Sequence, residues 1–223
     1  MQGVFQMQPK KIYFAGDLFD HKDIIGNLLL AQAVEEVSEH RYQVMLPQES
    51  ESNDARSIAE IRDRDLEMLF SCDCIVANFD GTELDSGTVV EFCFAKMLDM
   101  PAVLLRTDFR KGGDNGCDPW NLMCSGYPRS RTLLISAMEQ FHICRKKSAN
   151  CAETVSEMQK CIAAEIVEAL DSVCAEKPLH DTASAAEAMK LCIKCAGGIL
   201  PELFPEERIN ALVCGRAEKD ICQ

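Results

Sequence analysis

The sequence predicts an α/β protein: a parallel sheet flanked by helices, followed by a helical extension at the C-terminus. Two patterns carry this reading. Through the first two thirds of the chain, short apolar runs bounded by turn residues alternate with longer runs of helical spacing. That alternation is the signature of parallel strands joined by helical crossovers. From about Cys151 the composition turns Ala-, Glu- and Cys-rich, and helical periodicity continues without further strand signals.

Each element has its own justification. "KIYFA" (residues 11–15) reads as a short buried strand ending at Gly16, and residues 21–40 carry helical apolar spacing. "YQVMLP" (42–47) is strand-like and stopped by proline, and "ESESND" (49–54) is a polar loop. Residues 55–72 form a mixed-charge amphipathic helix, and "CIVANFDG" (74–81) is a strand running into a turn. In "DSGTVVEFCFAKML" (85–98), Asp85 and Ser86 are good N-cap residues ahead of an apolar helix. "PAVLLRTD" (101–108) is another strand, 107–131 a long loop with the sole tryptophan, Trp120, and "TLLISAMEQF" a last strand or short helix. A loop of that length in a compact domain is often functional. The domain boundary is drawn at 143/144, with a helical unit over 144–223 packed on the same domain or at an oligomer interface.

Composition narrows the partners. Thirty-six acidic against 23 basic residues give a net charge of -13. Such a surface argues against nucleic acid or anionic membrane as the main partner. No run approaches the roughly 18 apolar residues of a membrane span, and "MQGVFQMQPKK" lacks the apolar core of a secretory signal. "KDICQ" does not fit a prenylation box. A cytoplasmic protein is expected. Thirteen cysteines without paired C-x-x-C knuckles read as reduced, mostly buried thiols rather than a disulfide framework or zinc site; "CIKC" (Cys192, Cys195) stands alone.

Parallel sheets bind ligands at the carboxyl ends of their strands. Gly16 to Asp20, Asn78 to Asp85 and the loop after Arg106 are thereby expected around one site. No G-x-G-x-x-G or Walker motif accompanies them. The telling residue is Glu91. Helical spacing puts it on one stripe with Gly87, Phe94, Ala95 and Leu98, which is expected to face inward. A buried carboxylate shifts its pKa or finds a partner. Asp85 ahead of the helix and Asp65 on the preceding one converge on it. Paired carboxyls in a pocket are the equipment of glycosyl transfer, one attacking the anomeric carbon and the other handling the leaving group's proton. Tyr13, in the first strand, is placed to hydrogen-bond the nucleophile. The bland alternatives are a dipole-favoured surface glutamate, a solvated Asp65 and a core Tyr13.

"KIYFAGDLF", "DRDLEMLFSCDCIVAN", "DSGTVVEFCFA" and "WNLMCSG" occur in the order and approximate spacing of the nucleoside 2-deoxyribosyltransferase family, which the chain resembles over about residues 11–140. The resemblance implies a flavodoxin-like sheet. It further implies that Glu91 is the nucleophile forming a covalent deoxyribosyl-enzyme and that Tyr13 orients it. Asp85 and Asp65 would contact the base, one of them passing it a proton. Asn121 and Met123 would reach a neighbouring subunit's sugar, which implies a homo-oligomer, at least a dimer, with shared sites. No cofactor and no metal are implied. Gly16 and Asn78 complete the expected substrate-binding set. The first loop, "GDLFDHKD", offers Asp17 and Asp20 where relatives acting on nucleotides hold a 5′-phosphate, which favours nucleosides. Two other readings stay open: an N-glycosidase acting on nucleosides or nucleoside 5′-monophosphates with water as acceptor, and a non-catalytic nucleoside-binding module.

Overall fold

The computed structural model describes residues 8–49, 57–108 and 119–221. Five strands, β1 (Lys10–Ala15), β2 (Tyr42–Met45), β3 (Cys74–Asn78), β4 (Ala102–Arg106) and β5 (Ser130–Leu134), form one sheet in the order β2-β1-β3-β4-β5. Every neighbouring pair is parallel. This is the flavodoxin-like order, with its reversal of direction between β1 and β3.

Side chains alternate across the sheet with period two. In β1, Ile12 and Phe14 pack on one face, whereas Tyr13 and Ala15 pack on the other. The first face is covered by α1 (His21–Val37) and α5 (Cys151–Cys174), through Leu30, Val34, Ile162, Ile166 and Leu170. The second is covered by α2 (Ile58–Phe70) and α3 (Ser86–Met97), through Leu66, Leu69, Phe70, Phe92 and Ala95. Since both faces are covered, the inner strands β3 and β4 are apolar almost throughout.

The expected boundary at 143/144 falls inside α4 (Ala137–Lys147), and α5 beyond it packs directly on the sheet. Only α6 (Thr182–Ala196), α7 (Leu200–Leu203) and α8 (Glu206–Ile221) form an outer layer. They pack against the second face through Met189, Cys192, Leu200 and Phe204.

Several limits differ from those read in the sequence. The helix expected to His40 stops at Val37, because Glu39 and His40 take φ of 53° and 58°. α2 begins at Ile58 under a capping box made by Ser57 and Glu60. "TLLISAMEQF" divides between the end of β5 and the start of α4, which Ser136 caps. The polar loop at 49–54 and the middle of the loop at 107–131 lie largely outside the described residues.

All eleven cysteines among the described residues are free thiols, six of them buried. Cys192 is buried and Cys195 exposed, so their C-x-x-C does not present two thiols to one surface. Among the described residues, no group of three or more His, Cys, Asp or Glu side chains is placed to hold a metal ion. None of the described helices is long and apolar enough to cross a membrane.

Candidate active site

Strand alternation turns Tyr13 toward α3, where it is wholly buried. A buried phenol needs a hydrogen-bond partner. Its hydroxyl donates to Glu91 Oε1 at 2.6 Å, joining β1 to α3. Burial raises the Glu91 carboxyl to about 7; the Tyr13 hydrogen bond pulls the other way, and the charges of Asp65 and Asp85 add to the rise. Burial also holds the Tyr13 hydroxyl firmly protonated, with Glu91 reinforcing it. Tyr13 thus remains a donor, and the acceptor it favours is ionised glutamate.

The inward stripe of α3 is displaced from the one expected. Thr88, Phe92 and Ala95 are its buried residues, whereas Gly87 is exposed and Glu91 lies at the stripe's margin. Glu91 is therefore desolvated on one side and open on the other. A reacting carboxylate needs both properties.

Asp85 is the N-cap of α3; its Oδ2 accepts from Thr88 N at 2.6 Å and from Thr88 Oγ1 at 2.9 Å. This explains the glycine two residues on: a Cβ at Gly87 would stand 3.0 Å from Asp85 Oδ2. Asp65 reaches the cluster from α2. Burial raises its carboxyl to about 6, and its charge is felt at both Glu91 and Tyr13. The structure therefore brings Tyr13, Glu91, Asp65 and Asp85 together.

Gly16 and Asn78 meet where β1 and β3 end, and a Cβ on Gly16 would lie 3.1 Å from that of Asn78. Asn78 Oδ1 accepts from Asp80 N, fixing the turn after β3. Asp80 in turn accepts from Thr107 N, Thr107 Oγ1 and Asp108 N. The Arg106 guanidinium donates to the carbonyls of Phe79 and Gly81. The roles of Asp80 and Arg106 were not read from the sequence; the Asp-Gly turn after a strand was their visible sign. Across the strand ends from Glu91, on the α1 and α5 side, opens a cleft of about 790 Å³. Asp17, Asn27, Asn78, Asp80, Phe141 and Met158 are among its lining. Asp17 links the two regions: it borders the cleft, and burial and then the charge of Asp85 raise its carboxyl.

Asn121 and Met123 sit apart from this cluster. Asn121 Oδ1 accepts from Met123 N in a short exposed turn, with Met123 68% exposed. Neither shares a hydrogen bond with Tyr13, Glu91, Asp65 or Asp85. The turn is nevertheless anchored beside Glu91. Trp120 packs edge-on to Phe79, Phe79 on Phe92, and Phe92 on Tyr127. Tyr127 then donates to Met123 O.

A flavodoxin-like sheet thus carries, beside β1 and α3, a desolvated glutamate, a tyrosine that donates to it and two neighbouring aspartates. The nucleoside 2-deoxyribosyltransferase family model matches residues 12–123, half of the chain, and the protein belongs to that family. Three solved structures are similar. A conserved protein from Enterococcus faecalis V583 is 25% identical over 63% of this chain and 99% of its own, with a TM-score of 0.49. A 2-deoxyribosyltransferase from Bacillus psychrosaccharolyticus is 20% identical over 52% of this chain and 81% of its own, at 0.44. One from Leishmania mexicana is 23% identical over 64% of this chain and all of its own, at 0.45. No curated protein matched the chain. As a member of the family, the chain is an enzyme of nucleoside base exchange, binding nucleosides and free bases.

Proposed function

We propose that the enzyme exchanges the base of a 2′-deoxyribonucleoside through a covalent deoxyribosyl ester on Glu91. The observation that carries this reading is the 2.6 Å hydrogen bond from Tyr13 to a desolvated glutamate. The bond turns one carboxylate oxygen into an acceptor and leaves the other for C1′. Glu91 attacks C1′ as the C1′–N bond breaks, and the departing base takes a proton. A second base then attacks C1′, restoring the carboxylate and, by two inversions, the original configuration. Splitting the transfer replaces one high barrier with two lower ones.

Asp65 and Asp85 handle the base. Asp65, raised to about 6 by burial, holds its proton later than an ordinary aspartate. Asp85 spends Oδ2 on the helix cap and keeps Oδ1 for the base. General acid help of this kind is worth about 10²–10⁴-fold.

Nucleosides rather than 5′-phosphates are the substrates. Asp17, Asp20, Asp23, Asp80 and Asp108 line the neighbouring cleft, against one lysine, Lys22, already paired with Asp20. A dianionic phosphate would meet repulsion there. Asn121 and the exposed Met123 complete the site of a second subunit in a homo-oligomer, at least a dimer, and the protein works in the cytoplasm.

The test is to incubate the protein with a deoxynucleoside and a different free base. Exchanged nucleoside, with a deoxyribosyl adduct on Glu91 by mass spectrometry, is expected. Free deoxyribose that added base does not divert would point to hydrolysis instead.

A further inference from the structure

The outer helices grip the helix that carries Asp65, and the grip centres on a second aspartate two residues away. Asp63 is 1% exposed. Its Oδ2 accepts from Ile199 N at 2.8 Å, at the turn joining α6 to α7, and its Oδ1 is paired with Arg62. Arg62 also donates to Ala196 O. The turn is built on Gly197 and Gly198, at φ of 67° and 61°. A Cβ on Gly198 would fall 1.9 Å from Asp63 Oδ2, so the glycine exists to admit the carboxylate.

The same face of α2 is held farther along. Glu67 pairs with Arg208, Phe70 packs against the Phe204 ring, and Arg216 donates to the carbonyls of Phe70 and Cys72. Positions 63, 67 and 70 share one side of a helix, and Asp65 lies about 200° round from Asp63. α2 is therefore clamped from outside while Asp65 faces Tyr13 and Glu91 from within. The Asp65 side chain makes no hydrogen bond among the described residues, so the placement of α2 sets its position.

We propose that Asp63 is a positioning residue: by docking the Gly197–Gly198 turn onto α2, it holds Asp65 opposite Glu91. The outer helices are thus part of the catalytic framework rather than an appendage. The inference rests on the base-exchange reading for its kinetic consequence only.

The test compares Asp63→Ala, Asp63→Asn and Gly198→Ala with the wild type, each checked for fold by circular dichroism. Two readouts are taken: kcat and KM for base exchange, and the titration of Asp65 followed by its ¹³C carboxyl shift. Asp65 is faced by Tyr13 from β1 and Glu91 from α3, so loosening α2 admits water between them. Asp63→Ala and Gly198→Ala are expected to lower kcat about tenfold or more, on the scale that small misplacements cost. They should also bring the Asp65 midpoint down from about 6 toward that of an ordinary aspartate. Asp63→Asn keeps an acceptor for Ile199 N and should recover most of both. An Asp65 midpoint unmoved in folded Asp63→Ala and Gly198→Ala would overturn the proposal, as would unchanged kcat. A wild type that performs no exchange, yet shows the shifted midpoint in the variants, would overturn the functional reading and leave the positioning role standing.

Discussion

Tyr13 Oη stands 2.6 Å from Glu91 Oε1, a contact between residues 78 positions apart in the chain. It joins the first strand to the helix that follows the third. Removing only the donor isolates its contribution. Tyr13→Phe is expected to fold normally, to lower kcat by about 10- to 100-fold, and to move the Glu91 titration above about 7, because the interaction that favours the charged form is lost. Single-turnover kinetics across pH would show both effects; a profile that does not move would separate Tyr13 from the titration of Glu91.

Burying the Glu91 carboxyl costs the fold stability. That carboxyl is raised from 4.5 to about 7, so between these values the native state binds more protons than the unfolded chain. Stability then falls as pH rises through that window and levels off above it. Glu91→Gln removes the cost while keeping an acceptor for Tyr13. It should abolish exchange and stabilise the protein at pH 8 by on the order of 3 kcal/mol, with little gain at pH 4. Urea denaturation at the two pH values measures this difference.

Turnover should follow a bell. In the proposed mechanism the working state has Glu91 ionised and a proton held on the neighbouring acid. With Glu91 raised to about 7 and Asp65 to about 6, these coupled groups confine that state to a narrow range near neutrality. The profile of kcat/KM should peak between about 6 and 7. Asp65→Asn should flatten the basic limb and leave the acidic one.

Gly87→Ala probes the cap of α3. The new methyl would stand 3.0 Å from Asp85 Oδ2, where the carboxylate already accepts from Thr88. Loss of that cap costs about 1 kcal/mol, and swinging Asp85 aside should also reduce kcat/KM several-fold. Asp85→Asn retains the cap oxygen, so a fall in activity without loss of stability would separate the two roles.

A stability control lies at the opposite edge of the sheet. Arg129 and Asp99 are paired at 3.0 Å with side chains 4% and 5% exposed, and Asp99 also accepts from Leu179 N. Arg129→Ala strands a buried carboxylate and should cost about 3–5 kcal/mol. Because the pair lies at the amino ends of the strands, kcat of the folded protein should be unchanged.

Local pattern made much of this legible. Apolar runs marked the first four strands, an Asp-Ser start marked α3, and the last strand was left open between strand and short helix because β5 opens on Ser130 and Arg131. The oddity of a glutamate on one stripe with Phe94, Ala95 and Leu98 drew attention to Glu91 before any neighbour was known. Other features left weaker local traces. The inward stripe was read one position round from Thr88–Phe92–Ala95, because spacing gives the period of a helix and not the direction of its core. α5 looked like part of an extension, since a helix that covers a sheet and one that covers other helices share the same 3.6-residue period.

The sequence by itself determined the alternating α/β class, the family, and which residue types stand ready for chemistry; each depends on neighbours within a turn or two of chain. Only the tertiary structure decided that Tyr13 donates to Glu91, that burial lifts Glu91 and Asp65 out of the ordinary carboxylate range, and that α6–α8 brace α2 through Asp63. Desolvation and hydrogen bonding depend on which segments meet across the sheet, and that meeting is settled by the packing of the whole core.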